Sequence, residues 1–234
     1  MNKNLTILST RELEPALVEK IHQHQLVFDQ MPFIEMIPRS DEQLAVTINK
    51  LVTEKILAIF TSRTAVDAVQ AMLQSTPANW EIACMGGATR KEAADLFGES
   101  SILITSSSAK ELGEQILKTP TGQPVVFFAG NRRLNDLPVL LQNDKVNLTE
   151  LIVYDTIEIP ELITQHYDAI LFFSPSAAQS FFSINTIKPT TVLFSIGETT
   201  ASVIRGLAPN TVVVSPVHSP EKLFETVISY FKAS

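Results

Sequence analysis

Glycine and hydroxyl residues recur where short apolar stretches of this sequence give way to helical ones. Free backbone N–H groups and the positive end of a helix dipole hold anions at such places. The pattern therefore predicts several weak anion sites, which together suit a ligand with many negative charges. For any single loop the alternative is helix capping, because serine and threonine also serve as caps. The loops are residues 61–62, 86–89, 106–108, 130–131, 174–176, 197–200 and 218–219.

Tyr154 is the side chain best suited to acid–base chemistry. It lies in the run Val-Tyr-Asp-Thr that begins at Val153, within a stretch predicted to be extended. A phenol keeps its proton at neutral pH and can donate it to a departing hydroxyl. The alternative is an aromatic side chain that packs at a hinge, and the sequence leaves both interpretations open.

Several common catalytic patterns are absent from the sequence. It contains no G-x-G-x-x-G fingerprint, Walker loop, C-x-x-C pair, H-E-x-x-H helix or G-x-S-x-G elbow. Of the four histidines, only His22 and His24 are close in sequence, and they alternate on a polar helix end. We therefore predict no metal site and disfavour nucleophilic hydrolysis.

Composition narrows the partners and the compartment. A net charge of −7 and a pI near 5.1 argue against a nucleic-acid surface. The single Cys84 excludes a disulfide within the chain, and the first ten residues show no signal pattern. No apolar run is long enough to cross a bilayer. We expect a cytoplasmic protein that binds neither nucleic acid nor membrane.

The sequence contains an internal duplication, which sets its organisation. Ser-Ala-Lys-Glu-Leu from Ser108 is similar to Ser-Pro-Glu-Lys-Leu from Ser219, an offset of 219 − 108 = 111. The glycines Gly86 and Gly197 repeat at the same offset, 197 − 86 = 111. A period this long predicts two copies of one α/β unit rather than a solenoid.

Short strands that alternate with helices predict a mostly parallel sheet covered on both faces. We expect helices over residues 15–25, 42–53 and 89–97, with Ser40 or Asp41 as the cap of the second and Gly98 at the end of the third. In such sheets ligands bind beyond the carboxyl ends of the strands, which is where the hydroxyl-rich loops fall.

Counting strands predicts a discontinuous domain. The segment from about residue 163 is one strand short of the middle of the chain, and the apolar stretch at residues 5–9 can supply it. We therefore predict one domain from residues 1–28 and 163–234 and another from residues 40–150. Two extended linkers, residues 29–39 and 151–162, are predicted to pair as a β-ribbon that acts as a hinge.

The order of these motifs resembles that of the uroporphyrinogen-III synthase family over essentially the whole chain. The resemblance implies two similar, doubly wound, parallel-sheet α/β domains of the flavodoxin-like type. It also implies that the N-terminal segment is swapped into the C-terminal domain and that a two-stranded β-ladder joins the domains. The motifs are Thr10-Arg11, Phe60-Thr61-Ser62, Gly86 with Thr89 and Gly98, Val153 to Thr156, Phe173 to Ala177, and Ile196 to Ala201.

The resemblance also implies an activity. The family closes hydroxymethylbilane, a linear tetrapyrrole rich in carboxylates, to uroporphyrinogen III in heme biosynthesis, with loss of water and inversion of the last pyrrole. It uses no metal or organic cofactor, and we expect a monomer. Tyr154 would be the proton donor to the leaving hydroxyl. The substrate-binding residues would be Thr10, Arg11, Thr61, Ser62, Gly86, Thr89, Gly130, Asn131, Ser174, Ser176, Gly197, Thr199 and Thr200.

The sequence departs from the family pattern at two places. Arg63-Thr64 stands where the family often has proline or asparagine, and Ala208 stands where a glycine usually closes a helix. Neither departure removes the proposed proton donor. The competing hypothesis is a non-enzymatic two-domain binder or sensor of a small polyanionic ligand.

Overall fold

The computed structural model describes residues 5–24, 26–77, 79–119 and 122–233, in which helices and strands alternate. The first helix was predicted to end at Gln25, which lies outside the described residues. The elements in chain order are β1 (Leu5–Ser9), α1 (Pro15–His22), β2 (Leu26–Gln30), β3 (Ile34–Pro38), α2 (Glu42–Leu51), β4 (Ile56–Phe60), α3 (Arg63–Met72), β5 (Trp80–Met85), α4 (Ala88–Phe97), a 3-10 turn (Glu99–Ser101), β6 (Ile102–Ser106), α5 (Ala109–Lys118), β7 (Val125–Gly130), α6 (Asp136–Asn143), β8 (Leu148–Glu158), β9 (Ala169–Phe172), α7 (Pro175–Ile184), β10 (Val192–Ser195), α8 (Glu198–Leu207), β11 (Val212–Val214) and α9 (Pro220–Ala233).

The chain divides into two compact units. Unit 1 contains the described residues up to Glu35 and those from Ile157 onward, and unit 2 contains residues 36–156. The chain therefore passes from one unit to the other inside β3 and returns inside β8.

Unit 1 is built on a five-stranded sheet in the order β11-β10-β9-β1-β2. All four pairings are parallel, and β1 lies between β2 and β9. Counted along the chain, this is the order 2-1-3-4-5 of flavodoxin-like folds. The N-terminal strand thus completes a sheet whose other half is formed by the C-terminal third of the chain.

Unit 2 has the same spatial arrangement of strands, but the chain begins it at a different strand. Its sheet has the order β3-β8-β7-β4-β5-β6, and the pairings among β4 to β8 are parallel. In this comparison β4, β5 and β6 correspond to β9, β10 and β11, while β7 and β8 correspond to β1 and β2. The duplication predicted from the sequence is therefore present in the strand order.

The central strand of each sheet is buried on both faces, which explains why its sequence is apolar throughout. In β4, Ile56, Ala58 and Phe60 pack into one cluster of buried side chains, whereas Leu57 and Ile59 pack into a second. Strand β9 divides its residues between two clusters in the same way. Helices cover both faces of each sheet, as parallel sheets require.

The predicted linkers, residues 29–39 and 151–162, lie partly in strands. The first contains the end of β2 and the whole of β3, and the second contains the last eight residues of β8. Strand β3 is at the edge of its sheet, a position where a proline such as Pro38 is tolerated. The backbone N–H of Arg39 donates to Val153 O at 2.9 Å and that of Ile159 to Phe33 O at 3.1 Å, so β3 and β8 run antiparallel. Whether they act as a hinge stays a prediction.

The helix ends follow local sequence signals. Asp41 caps α2 by accepting hydrogen bonds from Gln43 N and Leu44 N, and Gly98 ends α4 with φ +87°. Ala208 ends α8 with φ −144°, an extended conformation that needs no glycine. Within the described residues, no helix is long and apolar enough to span a membrane.

Candidate active site

The carboxyl edge of each parallel sheet gathers the hydroxyl-rich loops. In unit 2 the loops after β4, β5, β6 and β7 emerge at one edge, and in unit 1 those after β1, β9, β10 and β11 do the same. Ten-residue helices begin directly after several of them. Their N-termini therefore point their free N–H groups toward that edge.

Helix capping is the role that the structure gives to four of the loop serines. The Oγ atoms of Ser62, Ser108, Ser174 and Ser219 accept hydrogen bonds from the backbone N–H three residues on, at 3.1–3.2 Å. The capping alternative is thus confirmed for these four. Their hydroxyl hydrogens stay available as donors, because a hydroxyl can accept and donate at once.

Glycines precede two of the helices that have no side-chain cap. Gly87 precedes α4 and Gly197 precedes α8, and neither helix has a side-chain hydrogen bond at its cap. Gly87 has φ +68°, where a side chain would be strained. The first N–H groups of α4 and α8 are therefore the backbone groups best placed to receive a carboxylate.

The loop before α5 already holds a carboxylate of its own. The Glu111 side chain accepts hydrogen bonds from Ser107 N at 3.0 Å and from Ser107 Oγ at 2.9 Å. These bonds lower the pKa of the Glu111 carboxyl. We therefore leave the loop at residues 106–108 out of the candidate site.

Tyr154 lies at the carboxyl edge of unit 2, half-buried among residues of that unit. It is opposite Gly130, the last residue of β7, in the parallel pairing of β7 with β8. Its phenol oxygen is 3.1 Å from the hydroxyl of Ser62, which follows β4. The ring also packs against the core cluster that contains Phe60 and Val66. One part of the Tyr154 side chain is therefore packed in unit 2, and another part stays accessible.

A bulge in β8 sets the direction of Tyr154. Along most of the pairing, each β7 residue faces the residue 23 positions later, as Ala129 faces Ile152. Gly130 instead faces Tyr154, so one extra residue, Val153, is accommodated in β8. Bulges of this kind re-aim a side chain and are common beside active sites.

Asn131 makes two hydrogen bonds to the same strand, one at Tyr154 and one two residues after it. Its backbone N–H donates to Tyr154 O at 3.2 Å, and its side-chain Oδ1 accepts from Thr156 N at 2.8 Å. The Asn131 side chain is therefore occupied by the protein itself. The sequence analysis assigned Asn131 to substrate binding. The contacts of Gly130 and Asn131 with Tyr154 depend on the strand register, and no local motif indicates them.

Three of the threonines predicted to bind substrate are buried. Thr10 is fully buried and its Oγ1 donates to Leu171 O at 2.8 Å. Thr89 and Thr200 are 7% and 3% exposed in the first turns of α4 and α8. Their hydroxyls contribute to packing of the loops, and we leave these three residues out of the proposed binding set.

Other predicted residues are accessible at the carboxyl edge of their own unit. In unit 1, Arg11 and Thr199 are exposed, Ser176 and Gly197 are half-buried, and the Arg11 guanidinium lies 4.6 Å from the centre of the Phe173 ring. A cation stacked on an aromatic face is held in place without losing its charge. In unit 2, Thr61 and Gly86 are half-buried.

Sequence reasoning missed an ion pair beside Tyr154. Arg39 and Asp155 are joined by two hydrogen bonds, and they are 116 residues apart in the sequence, so no local pattern signals the contact. Sequence reasoning also missed that Arg63 pairs with Asp67 and Glu92, at 3.5 and 3.3 Å. Across the residues that the structure describes, no group of three or more potential metal ligands is found.

Comparisons with known proteins show which family and which fold the chain is similar to. Residues 15–225 fit the model of the family described as uroporphyrinogen-III synthase HemD. The uroporphyrinogen-III synthase of Schizosaccharomyces pombe is 29% identical over 121 residues, which are 48% of this chain and 46% of that protein. The match thus spans about half the length of this curated relative.

Solved structures are similar over almost the whole chain. The uroporphyrinogen-III synthetase from Helicobacter pylori has a TM-score of 0.68 at 16% identity, covering 97% of this chain and 99% of that one. A mutant uroporphyrinogen III synthase from the extremely thermophilic bacterium Thermus thermophilus has a TM-score of 0.64 at 15% identity, covering 97% and 98%. Both similarities concern the fold.

Proposed function

Since the chain belongs to the uroporphyrinogen-III synthase family, we propose that it closes hydroxymethylbilane to uroporphyrinogen III with loss of water. The observation that carries this proposal is the placement of the Tyr154 phenol at the carboxyl edge of unit 2, seated on Gly130 and 3.1 Å from Ser62. That edge also carries an uncapped helix N-terminus at Gly87. An acid beside anion-holding backbone is what loss of a hydroxyl from a carboxylate-rich substrate requires.

The first step transfers a proton from Tyr154 to the terminal hydroxyl of the bilane. The C–O bond breaks, its electron pair goes to the oxygen, and water leaves. The substrate is then a cation at the former hydroxymethyl carbon, and Tyr154 is a phenolate. The former hydroxymethyl carbon bonds to the α-carbon of the last pyrrole that already carries the chain, and the bond from this α-carbon to its methylene bridge then breaks, so the cation moves to the bridge carbon. The bridge carbon bonds to the other α-carbon of the same ring, and the proton lost from that α-carbon restores the phenol. The net change is the loss of one water.

The second task of the protein is to control the conformation of the bound bilane. The bilane closes unaided to the type I isomer, so the protein must direct the first new bond to the α-carbon of the last ring that already carries the chain. Several weak contacts to carboxylate arms achieve this, because each arm that is fixed removes rotational freedom before the reaction. We assign this role to the N–H groups of α4 and α8 and to Arg11, Thr61, Ser176, Gly197 and Thr199. The backbone N–H of Gly86 already donates to Ser106 O at 2.9 Å, so we leave Gly86 out of this set.

Product analysis tests the proposal. Hydroxymethylbilane is generated by a separate enzyme and added to this protein, and the cyclic products are oxidised and separated by isomer. The type III isomer is expected at a rate proportional to protein concentration. Type I product alone, at the rate seen in buffer, would overturn the proposal.

A further inference from the structure

We infer that Ser62 and Gly130 are positioning residues that set the phenol of Tyr154, rather than groups that hold substrate carboxylates. The inference rests on the proposed function and assigns these two residues a different role in it. It depends on three contacts inside unit 2. The Tyr154 ring packs against Gly130, the Ser62 hydroxyl lies near the phenol oxygen, and Asn131 is hydrogen-bonded to the strand that carries Tyr154.

Gly130 provides the space that the Tyr154 ring occupies. A Cβ atom built on Gly130 would lie 2.5 Å from Cε2 and Cζ of Tyr154 and 2.8 Å from its phenol oxygen. Ordinary carbon contacts lie at about 3.5–4.0 Å, so a methyl group here displaces the ring by about 1 Å. Gly130 is buried and does not have a positive φ, so its lack of a side chain serves the contact with Tyr154 rather than a turn.

Hydrogen bonds from Asn131 also fix the strand that carries the Tyr154 ring. Asn131 bonds Tyr154 O with its backbone N–H and Thr156 N with its side chain, at 3.2 and 2.8 Å. Together with the bulge at Val153, these bonds fix the strand on both sides of the tyrosine. The ring therefore has little freedom to move away from Gly130.

Ser62 completes the arrangement at the oxygen atom. Its Oγ accepts from Ala65 N at 3.2 Å, so a lone pair is used by the helix cap, while its hydrogen is directed to Tyr154 oxygen at 3.1 Å. The phenol hydrogen is then free to point at a substrate. When that proton has left, Ser62 donates to an oxygen that carries negative charge, a stronger hydrogen bond than the one it replaces.

Ser62 differs in this respect from Ser108, which supplies a matched control. Both serines cap ten-residue helices of unit 2 by accepting from the N–H three residues on, each at 3.2 Å. Only Ser62 contacts Tyr154. Ser62→Ala and Ser108→Ala therefore remove the same cap, and each is expected to lower Tm by about 2–4 °C.

The experiment combines these variants with Tyr154→Phe and measures kcat and KM for type III product. Ser62→Ala is expected to lower kcat about tenfold with little change in KM, because the bond strengthens only as charge develops. In a Tyr154→Phe background the same change should have no further effect on kcat. Ser108→Ala should leave kcat unchanged, and Ser62→Thr, which keeps the hydroxyl, should stay within about threefold of the parent.

Gly130 is tested with a second matched pair. Gly130→Ala is expected to lower kcat by about 10- to 100-fold, and this loss should disappear in the Tyr154→Phe background. Gly122→Ala is the control, since a Cβ at Gly122 meets no atom within 4 Å. Thermal unfolding of each variant separates displacement of the ring from loss of folding.

The outcomes distinguish this inference from the proposed function. If the parent protein forms no type III product, the proposed function fails. If the parent is active but the Ser62 and Gly130 effects persist undiminished without the Tyr154 hydroxyl, these residues act independently of Tyr154 and the inference alone is overturned. A raised KM with unchanged kcat in Ser62→Ala would likewise contradict it, because that is the result expected of a residue that binds substrate.

Discussion

Arg39 and Asp155 form a two-pronged ion pair next to the proposed proton donor. Arg39 Nε lies 2.9 Å from Asp155 Oδ2 and Nη2 lies 2.8 Å from Oδ1. Asp155 is the residue after Tyr154, and the backbone N–H of Arg39 donates to Val153 O. The pair therefore reinforces the pairing of β3 with β8 where the tyrosine is held.

Breaking this pair is expected to lower stability modestly at neutral pH. The two side chains are 39% and 32% exposed, so solvent screening limits the effect of Asp155→Asn to about 0.5–1 kcal/mol. Urea unfolding at pH 7 measures the difference, which should decrease at high salt. An effect above about 3 kcal/mol would show that the pair is more strongly coupled to the fold than its exposure indicates.

The contribution of the pair depends on pH with a defined sign. Hydrogen bonds from Arg39 lower the pKa of the Asp155 carboxyl, so the folded state favours the charged form. The stabilisation is therefore present above about pH 4, the unfolded pKa, and is lost as the pH falls through the lower folded pKa. The free energies of unfolding of the parent and Asp155→Asn should converge as the pH falls below about 4. A constant difference down to acid pH would contradict this assignment.

Tyr154→Phe tests the proton donor. The ring and its contact with Gly130 are retained, and the phenol loses its bond to Ser62, so stability should fall by about 1 kcal/mol or less. We expect kcat to fall about 100-fold, as when a general acid is removed. Circular dichroism and thermal unfolding check the fold. Unchanged turnover would make Tyr154 a packing residue, which was the alternative that the sequence left open.

Ser174 and Ser176 separate capping from binding at the start of α7. Ser174 Oγ accepts from Ala177 N at 3.1 Å, whereas among the described residues no hydrogen bond is found for the Ser176 side chain. Ser174→Ala is expected to lower the free energy of unfolding by about 1 kcal/mol. Ser176→Ala should leave stability unchanged and raise KM severalfold. If instead Ser174→Ala raised KM and Ser176→Ala lowered stability, the substrate would be held by Ser174 and not by Ser176.

The ends of α4 and α8 predict that opposite exchanges of glycine and alanine both destabilise the protein. Gly98 has φ +87° and ψ 147°, a region that is almost exclusive to glycine, so Gly98→Ala should cost about 1–3 kcal/mol. Ala208 is extended, so introducing a glycine there should destabilise the protein by about 0.5–1 kcal/mol. Chemical denaturation measures both. A gain in stability from Ala208→Gly would contradict the extended helix end.

Much of the fold follows from patterns that are local or repeated. Short apolar stretches predicted the parallel sheets, and the offset of 111 between Gly86 and Gly197 predicted the duplicated unit. The strands β3 and β8 were harder to interpret, because partly exposed extended segments occur both in linkers and near sheet edges. Their pairing depends on partners far along the chain.

The site was less predictable than the fold for a physical reason. Tyr154 was identified by its chemistry, and the hydroxyl-rich loops by their position before helices. The contact of Tyr154 with Gly130 depends on a one-residue bulge, and that with Ser62 spans 92 positions. Burial also removed Thr10 from the accessible set, since a threonine at a strand end gives no local sign of whether its hydroxyl faces solvent or a carbonyl.

The isomer composition of the product tests the central claim most directly. Hydroxymethylbilane is supplied to the parent protein and to buffer, and the ratio of type III to type I product is measured over a range of protein concentrations. We predict that type III becomes the dominant product as protein is added, at an initial rate that increases linearly with its concentration. A ratio that stays at the buffer value at every protein concentration would contradict the assignment.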